Sequence, residues 1–389
     1  MPLRIDFPDV KALPSRRLFV LAMVAVLLVA ADALPASLLG DPDRIQFALS
    51  LIIGALAIGI ALRDRMTRAQ ATRARNRVLL LLVVLALSLT AAEFATRFVF
   101  RDVTTSTDNS SFFTRRWLRS GPSRTNAQGY RGPAFSVTKP AGVYRIAVVG
   151  DSFTYGNGVA QQDRYTDLLQ ARLPTNIEVL NFGTPGDNTP EHEKKVAELL
   201  GTIHPDFLLL QWYVNDMEDD DMTGRPQFRP LLPAFHQWLD ASSALYAIAN
   251  LKWGELQVRW GWTRSYVAFI KDRLADPHSQ YSQQDSQFLH RLIDHARQAG
   301  VPMGMVLFPD TASPITDAYP FGFLHDRVLA TCDEYAMTCV DLRQDFAKVK
   351  DHRELWASRF DHHPSARANA IAAERILNTF AAKWASSPK

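Results

Sequence analysis

The sequence predicts an α/β domain with a parallel β-sheet, preceded by three membrane-spanning helices. Two patterns in the 389-residue chain carry this prediction. In the C-terminal part, short apolar segments alternate with amphipathic ones, which is typical of a parallel sheet covered by helices on both faces. In residues 1–100, three long apolar runs follow one another. The average composition hides both patterns, because 47% hydrophobic and 21% charged residues describe an ordinary globular protein.

The three apolar runs, at about residues 18–39, 45–62 and 78–100, predict three transmembrane helices. Each approaches the roughly 20 residues that an α-helix needs to cross the hydrocarbon layer. Buried helices of a soluble protein are the alternative, and three such runs crowded ahead of a separate domain argue against it. We therefore expect residues 1–100 to form a membrane anchor.

The distribution of charge predicts the orientation of this anchor. Residues 63–77 hold six arginines and one aspartate, and residues 1–100 carry a net charge of +5. The whole chain carries +3, so residues 101–389 carry −2 and no nucleic-acid partner is expected. Basic loops stay in the cytoplasm, which places everything after residue 100 outside the cytoplasmic (inner) membrane. A cleaved signal peptide or a twin-arginine signal at the N-terminus would leave the same domain outside.

The chain has two cysteines, Cys332 and Cys339, both in the part predicted to be exported. An oxidising compartment favours a disulfide between close cysteines. Two thiolates alone would leave a zinc ion half-coordinated. The acidic run 218–221 lacks the ligand spacing of a known calcium loop. We therefore expect a disulfide, and neither a metal nor a cofactor.

The exported part begins with residues 101–140, which are polar and are predicted to be an irregular linker arm. Beyond the arm, polar residues follow the predicted strands directly, as expected where active-site groups gather at the carboxyl ends of a parallel sheet. Strands are predicted at 144–149, 177–182, 207–213, 302–308 and 338–342, and helices at 163–173, 189–203, 284–299, 323–335 and 365–384.

A serine, a histidine and an aspartate among these polar residues form a candidate catalytic set. A serine hydroxyl becomes a nucleophile when a histidine, held by a third group, takes its proton. Ser152 directly follows the first strand. Asp361 and His363 lie two residues apart in a segment predicted to be extended, so both point to the same side. The Asp361 carboxylate would then orient His363 and stabilise its protonated form.

Acyl transfer also needs donors for the oxyanion, and three strand ends offer one each: the N–H of Ser152, the N–H of Gly186 and the side-chain amide of Asn215. Each residue also has a purely structural explanation: Ser152 could cap a helix, Gly186 could permit a tight turn, and Asn215 could belong to an ordinary Asn-Asp turn. The segment 361–364 could likewise only start a helix or hold a metal. Four elements in this order favour catalysis.

These four segments resemble the sequence blocks of the SGNH (GDSL-like) hydrolases over about residues 141–385. The resemblance implies a flavodoxin-like three-layer fold with Ser152 as nucleophile, His363 as base and Asp361 as acid. It also implies an oxyanion hole formed by Ser152, Gly186 and Asn215. Segment 126–132 is similar to one found in membrane-tethered bacterial members. The matching blocks are Gly150–Gly156, Asn181–Gly186, Val214–Asp216 and Asp361–Pro364.

The chain departs from the family pattern in two places. The family commonly spaces acid and base as Asp-x-x-His, but Phe360 stands three residues before His363, so Asp361 is the preferred acid and His362 remains an alternative base. An insertion, residues 217–282, separates the third strand from the next helix and carries four of the eight tryptophans. These form either a small core for the insertion or a lid or sugar-stacking surface beside the site.

The expected function is a membrane-anchored, extracytoplasmic serine esterase that removes O-acetyl groups from envelope or exopolysaccharide sugars. Alternatives are an O-acetyltransferase that uses the same residues with a membrane-bound acyltransferase partner, and a lipase or thioesterase. A degenerate hydrolase that serves only as a binding module is the non-enzymatic alternative.

Overall fold

The computed structural model describes residues 67–105, 111–119, 124–217 and 233–386. Of these, residues 67–100 and 233–264 form one compact unit, and residues 101–217 and 265–386 form the other. The predicted spans 18–39 and 45–62 lie outside the described residues and stay predictions, as does the acidic run 218–221.

The larger unit contains a five-stranded parallel sheet with the order β2-β1-β3-β4-β5. This order confirms the predicted flavodoxin-like fold. Each strand begins and ends within one residue of its prediction, because continuous apolar runs of this length are buried on both faces. The strands are β1 (Tyr144–Gly150), β2 (Ile177–Gly183), β3 (Phe207–Trp212), β4 (Met303–Leu307) and β5 (Thr338–Asp341).

Helices cover both faces of the sheet and form two apolar cores. Alternate residues of β3 divide between them: Leu208 and Leu210 belong to one core, Phe207 and Leu209 to the other. The helices of this unit are Phe112–Arg119, Ser152–Tyr155, Tyr165–Arg172, Thr189–Thr202, Tyr266–Leu274, Gln280–Gln298, Gly322–Glu334, Arg343–Ala347 and Ala366–Ser386, with short 3₁₀ turns at Gln161–Asp163, Val214–Met217 and His352–Leu355.

A two-stranded antiparallel ribbon precedes the last helix. It pairs β6 (Trp356–Ser358) with β7 (Asp361–Pro364). The extended conformation predicted for Asp361 and His363 is confirmed, whereas the pairing strand β6 was not expected. Pairing fixes the backbone of β7, and with it the direction of the Asp361 and His363 side chains.

The described part of residues 101–140 contains one short helix that the sequence did not predict, and its residues 124–140 are mostly turns, bends and irregular backbone. Its helix Phe112–Arg119 buries Phe113 and Trp117. The Phe113 ring packs against Phe360, with ring centres 6.1 Å apart, directly beside Asp361. Phe113 and Trp117 are buried within the larger unit, although the segment around them is mostly polar.

Cys332 and Cys339 form a disulfide, which confirms that prediction. The bond joins the last turn of the helix Gly322–Glu334 to strand β5.

The smaller unit is helical. Within the described residues, one helix is long and apolar enough to cross a bilayer: the 28-residue stretch Thr72–Val99 of the helix Arg68–Val99, which contains an 18-residue window with a mean hydropathy of 2.5. We call Arg68–Val99 the apolar helix. The third predicted span, 78–100, lies on it, and its large apolar side chains from Leu79 to Val99 are exposed.

Two helices of the predicted insertion, Pro233–Ser242 and Ala244–Arg259, belong to the same unit as the apolar helix. We call them the insertion hairpin. Trp253, Trp260 and Trp262 form an aromatic cluster with ring centres 4.7–6.0 Å apart, which agrees with the small-core alternative. The fourth tryptophan, Trp238, lies outside that cluster and is 60% exposed. The rest of the described insertion, residues 265–282, belongs to the larger unit.

Candidate active site

Ser152 begins a one-turn helix directly after β1. The Asp151 side chain caps this helix by accepting a hydrogen bond from the N–H of Phe153 at 2.8 Å. Gly150 permits the sharp turn, because a Cβ atom there would lie 2.2 Å from Thr154 Oγ1 and 2.4 Å from Gln211 Oε1. The turn therefore places the Ser152 hydroxyl at the carboxyl edge of the sheet.

The structure brings Ser152, His363 and Asp361 together although 211 residues separate the first two. His363 Nε2 lies 2.9 Å from Ser152 Oγ, and His363 Nδ1 lies 2.5 Å from Asp361 Oδ1. The same carboxylate oxygen accepts the backbone N–H of His363 at 3.1 Å. Asp361 is fully buried and therefore presents a fixed acceptor to the imidazole.

The neighbouring His362 makes different contacts. Its ring packs against Trp356, with ring centres 4.4 Å apart, and its carbonyl oxygen accepts a hydrogen bond from Thr311 at 3.2 Å. Successive residues of a strand point to opposite faces, so β7 can direct only one of the two histidines toward Ser152. That residue is His363.

The electrostatics of the pair suit a histidine base. Burial by itself lowers the pKa of His363, but the Asp361 carboxylate more than offsets it, so the pKa lies above the usual histidine value. Burial raises the pKa of Asp361, and the His363 charge and hydrogen bonds reverse this, so Asp361 stays ionised. The pair therefore stabilises a protonated imidazole beside the serine.

Thr105 completes the hydrogen bonding of the buried carboxylate. Its hydroxyl donates to Asp361 Oδ2, the oxygen that His363 does not use. The Thr105 backbone is held in turn, because its carbonyl oxygen accepts from the Ser358 hydroxyl at 2.6 Å. Thr105 lies 256 residues from Asp361 in a segment without a recognisable motif, and no sequence pattern predicted its role.

Gly186 and Asn215 lie on either side of Ser152 because β2 and β3 both pair with β1. Gly186 is exposed in the loop after β2 and has a φ of +89°, which favours glycine. Asn215 lies on the 3₁₀ turn after β3, and its side-chain oxygen is buried without a hydrogen-bond partner among the described residues. The strand order thus places both predicted oxyanion donors at the carboxyl edge that carries Ser152.

Asp216 fixes the turn that carries Asn215. One carboxylate oxygen accepts the N–H of Tyr213 at 2.8 Å, and the other lies 3.0 Å from His192 Nε2. Burial lowers the pKa of His192 to about 4, so the ring is neutral and donates its Nε2 proton to Asp216. His192 belongs to the helix after the Gly186 loop, and this bond therefore joins the two segments that carry the predicted oxyanion donors Gly186 and Asn215.

Asp285 adds a buried carboxyl group that is linked to the same turn through Thr189. Thr189 Oγ1 lies 2.7 Å from the carbonyl oxygen of Asp216 and 2.8 Å from Asp285 Oδ1. A hydroxyl has one proton and the carbonyl can only accept it, so the Asp285 carboxyl must donate to Thr189. Burial raises the pKa of Asp285 to about 7, which agrees with this assignment.

Arg131, from the segment similar to membrane-tethered hydrolases, supports the turn after Ser152. Its guanidinium donates to the carbonyl oxygens of Tyr155 and Gly156 and, at 2.7 Å, to that of Val159. The side chain is buried against the Trp117 ring, 5.1 Å from its centre. The sequence singled out this segment without indicating what Arg131 does.

A hydrogen-bonded serine, histidine and aspartate at the carboxyl edge of a flavodoxin-like sheet define the class of α/β serine hydrolases. Within the described residues, no group of three or more His, Cys, Asp or Glu side chains is arranged to hold a metal ion. The chain belongs to the GDSL-like lipase/acylhydrolase family, whose sequence model matches residues 148–371, more than half of its length. It is therefore a serine hydrolase that acts on carboxylic esters.

Three solved structures are similar to the chain at low sequence identity. A lipolytic protein of the G-D-S-L family from Veillonella parvula is 14% identical over 61% of this chain and 98% of that chain, with a TM-score of 0.38. A psychrotrophic esterase from Pseudoalteromonas sp. is 13% identical over 62% and 99%, with a TM-score of 0.38. A carbohydrate acetylesterase family member from Sinorhizobium meliloti is 13% identical over 61% and 96%, with a TM-score of 0.35. No curated protein matches the chain.

Replacing Thr105 by valine should lower kcat about tenfold and move the acidic limb of the kcat/KM profile to higher pH. Without the donor, the Asp361 charge is less dispersed and holds the His363 proton more tightly. Thr105→Ser keeps the hydroxyl and should restore both values. The measurement is the pH dependence of aryl acetate hydrolysis by the full chain. An unchanged profile in Thr105→Val would show that the hydrogen bond does not act on the pair.

Replacing Asp285 by asparagine should raise the melting temperature at pH 8 and leave it nearly unchanged at pH 4. The folded protein keeps the Asp285 proton up to about pH 7, whereas the unfolded chain releases it near pH 3.9. Wild-type stability from this group is therefore complete below about pH 4 and is lost as the pH rises toward 7. An asparagine amide donates to Thr189 at every pH.

Thermal unfolding of the full chain in detergent at both pH values measures this difference. Asp333→Asn, a substitution at an exposed aspartate, is the control and should preserve the wild-type pH dependence. If Asp285→Asn also preserves it, Asp285 does not hold the proton.

Proposed function

We propose that the protein is a membrane-anchored, extracytoplasmic esterase in which Ser152, His363 and Asp361 form the catalytic triad. The continuous hydrogen-bond chain from Asp361 through His363 to Ser152 is the observation that carries the proposal. This geometry supplies the nucleophile, its base and the group that orients the base.

In the proposed reaction, Ser152 Oγ attacks the ester carbonyl carbon while His363 Nε2 takes the hydroxyl proton. The tetrahedral intermediate collapses, and the leaving alcohol receives that proton from His363. Water then attacks the acyl-serine and loses a proton to His363, which returns it to Ser152 as the acid leaves. Asp361 stabilises the protonated imidazole in both halves of the cycle.

The oxyanion of each intermediate would be held by the N–H groups of Ser152 and Gly186 and by the Asn215 side-chain amide. These donors come from the ends of three adjacent strands, β1, β2 and β3. A single donor of this kind typically contributes about 3 kcal/mol in the transition state. The bonds that Asp216 makes to Tyr213 and His192 keep the Asn215 turn rigid.

The proposed location is the outer face of the cytoplasmic membrane. The apolar helix supports it, because the apolar window of this helix is unburied in the structure and arginines precede that window at positions 73, 75 and 77. The Cys332–Cys339 disulfide also favours an oxidising compartment. An exported, tethered esterase meets acylated envelope polysaccharides, so we propose O-acetylated sugars as its substrate class.

Ser152→Ala and His363→Ala should each reduce hydrolysis of a short-chain aryl acetate by at least about 10⁴-fold, because either change removes the acylation step. His362→Ala serves as the matched control and should retain most of the activity, since its ring packs on Trp356. Activity that depends on His362 instead of His363, or that survives in Ser152→Ala, would contradict the triad. Transfer of acetyl groups to sugar hydroxyls, when envelope polysaccharide is added, would identify acetyl transfer as the activity.

A reporter enzyme that works only outside the cytoplasm should be active when fused to Lys389, because the catalytic unit follows the outward end of the apolar helix. The same reporter fused after residue 70, on the arginine-rich side, should be inactive. The reverse pattern would contradict the orientation without affecting the triad.

A further inference from the structure

Glu93 of the apolar helix is bonded to the start of the second helix of the insertion hairpin. Its carboxylate accepts hydrogen bonds from the Ser243 hydroxyl at 2.7 Å and from the N–H groups of Ala244 and Leu245 at 2.9 Å each. The Ser243 hydroxyl oxygen also accepts the N–H of Tyr246 at 3.0 Å. The first three N–H groups of this helix, which lack partners inside the helix, are therefore all satisfied.

A second contact fastens the same corner of the hairpin. Arg97, one turn after Glu93, donates to the carbonyl oxygen of Ser242 at 3.0 Å and forms an ion pair with Glu93 at 2.6 Å. An ionisable residue within an apolar, membrane-length helix is costly unless it is paired. The Arg97 charge and the partial positive charge of a helix N-terminus both compensate Glu93 here. The Glu93 carboxylate therefore attaches the hairpin to the apolar helix.

The position of Glu93 fixes the depth at which the hairpin is attached. The stretch Thr72–Val99 is about 42 Å long at 1.5 Å per residue, which matches a bilayer with its interfaces. Glu93 lies about 11 Å beyond the midpoint of that stretch. The hydrocarbon layer extends about 15 Å to each side of the bilayer centre. The attachment point therefore lies near the outer edge of the hydrocarbon layer.

The hairpin carries an exposed aromatic pair on its first helix. Phe235 and Trp238, one turn apart, stack with ring centres 5.9 Å apart and are 48% and 60% exposed. Among the described residues, half of the six exposed large apolar side chains outside the apolar helix lie on this hairpin, namely Phe235, Trp238 and Val258. Aromatic side chains of this kind are enriched where a protein meets the lipid headgroups.

We propose that the insertion hairpin lies in the outer lipid interface as a second part of the membrane anchor, with Phe235 and Trp238 inserted among the headgroups of the bilayer. The inference rests on the proposed membrane location. Attachment through Glu93 selects lipid over a polysaccharide or a second copy of the chain, because it ties the hairpin to the edge of the hydrocarbon layer. The insertion hairpin is then a membrane contact.

Spin labels on the hairpin test this position directly. The two native cysteines are joined in a disulfide, so a single introduced cysteine is the one free thiol of the chain. Phe235→Cys and Gln237→Cys place labels at two exposed positions of the same helix, roughly opposite each other around its axis. The labelled full chains are reconstituted into vesicles of phosphatidylethanolamine and phosphatidylglycerol, and collisions with oxygen and with a water-soluble nickel complex are compared.

The ratio of oxygen to nickel collisions should be severalfold higher at position 235 than at position 237, because oxygen concentrates in lipid. Adding Glu93→Leu to the Phe235→Cys chain removes the acceptors and should lower that ratio to the value at position 237. Glu255→Gln, which removes an exposed acid of the hairpin that pairs with Lys252, is the matched control and should leave the ratio unchanged.

Equal nickel accessibility at positions 235 and 237 in vesicle-bound protein would overturn the interfacial hairpin and leave the membrane location standing. Failure of the wild-type chain to remain with the vesicles would overturn both. Aryl acetate hydrolysis, measured on the same samples, tests the triad independently, because Phe235, Gln237 and Glu93 have no part in the proposed chemistry.

Discussion

The catalytic geometry depends on one physical constraint, the burial of the ionised Asp361 carboxylate. A carboxylate removed from water is stable only if its oxygens are hydrogen-bonded and its charge is paired. Here His363 supplies both the charge partner and two hydrogen bonds, and Thr105 supplies a third. The requirement fixes the imidazole orientation, and strand pairing in the β6–β7 ribbon holds the acid and the base in register.

A second group of buried acids lies on the side of the site that carries the predicted oxyanion donors. Asp216 pairs with neutral His192, and burial raises the pKa of Asp285, which contacts Thr189, to about 7. Burial and the nearby Asp216 charge raise the pKa of Asp151, which caps the Ser152 helix, to about 6. Neighbouring carboxyl groups in a low-dielectric site cannot all ionise, so protonation is distributed among them. The stability of the folded protein therefore depends on the pH through these buried carboxyl groups.

The two compact units differ in where their apolar side chains lie. In the larger unit, apolar side chains are buried on both faces of the sheet, and polar groups emerge only at its carboxyl edge. In the smaller unit, the apolar side chains of the apolar helix are exposed. The insertion hairpin is attached to that helix by polar contacts with Glu93. The proposed membrane environment explains why apolar side chains are exposed in the smaller unit, since lipid solvates apolar groups. Polar groups in lipid need partners within the protein, and the contacts of Glu93 with the hairpin supply them.

The sequence alone determined the features that depend on local pattern. Apolar run length located all five strands, the order of polar residues at strand ends identified Ser152, Gly186 and Asn215 as candidates, and two-residue spacing placed Asp361 and His363 on one side. Only the tertiary structure assigned Thr105 to Asp361, paired β6 with β7, buried the helix Phe112–Arg119 and tied Glu93 to the insertion hairpin. These contacts join residues that are distant in the chain and carry no periodic signal. Their partners are determined by which surfaces meet when the units pack, and local periodicity does not encode that.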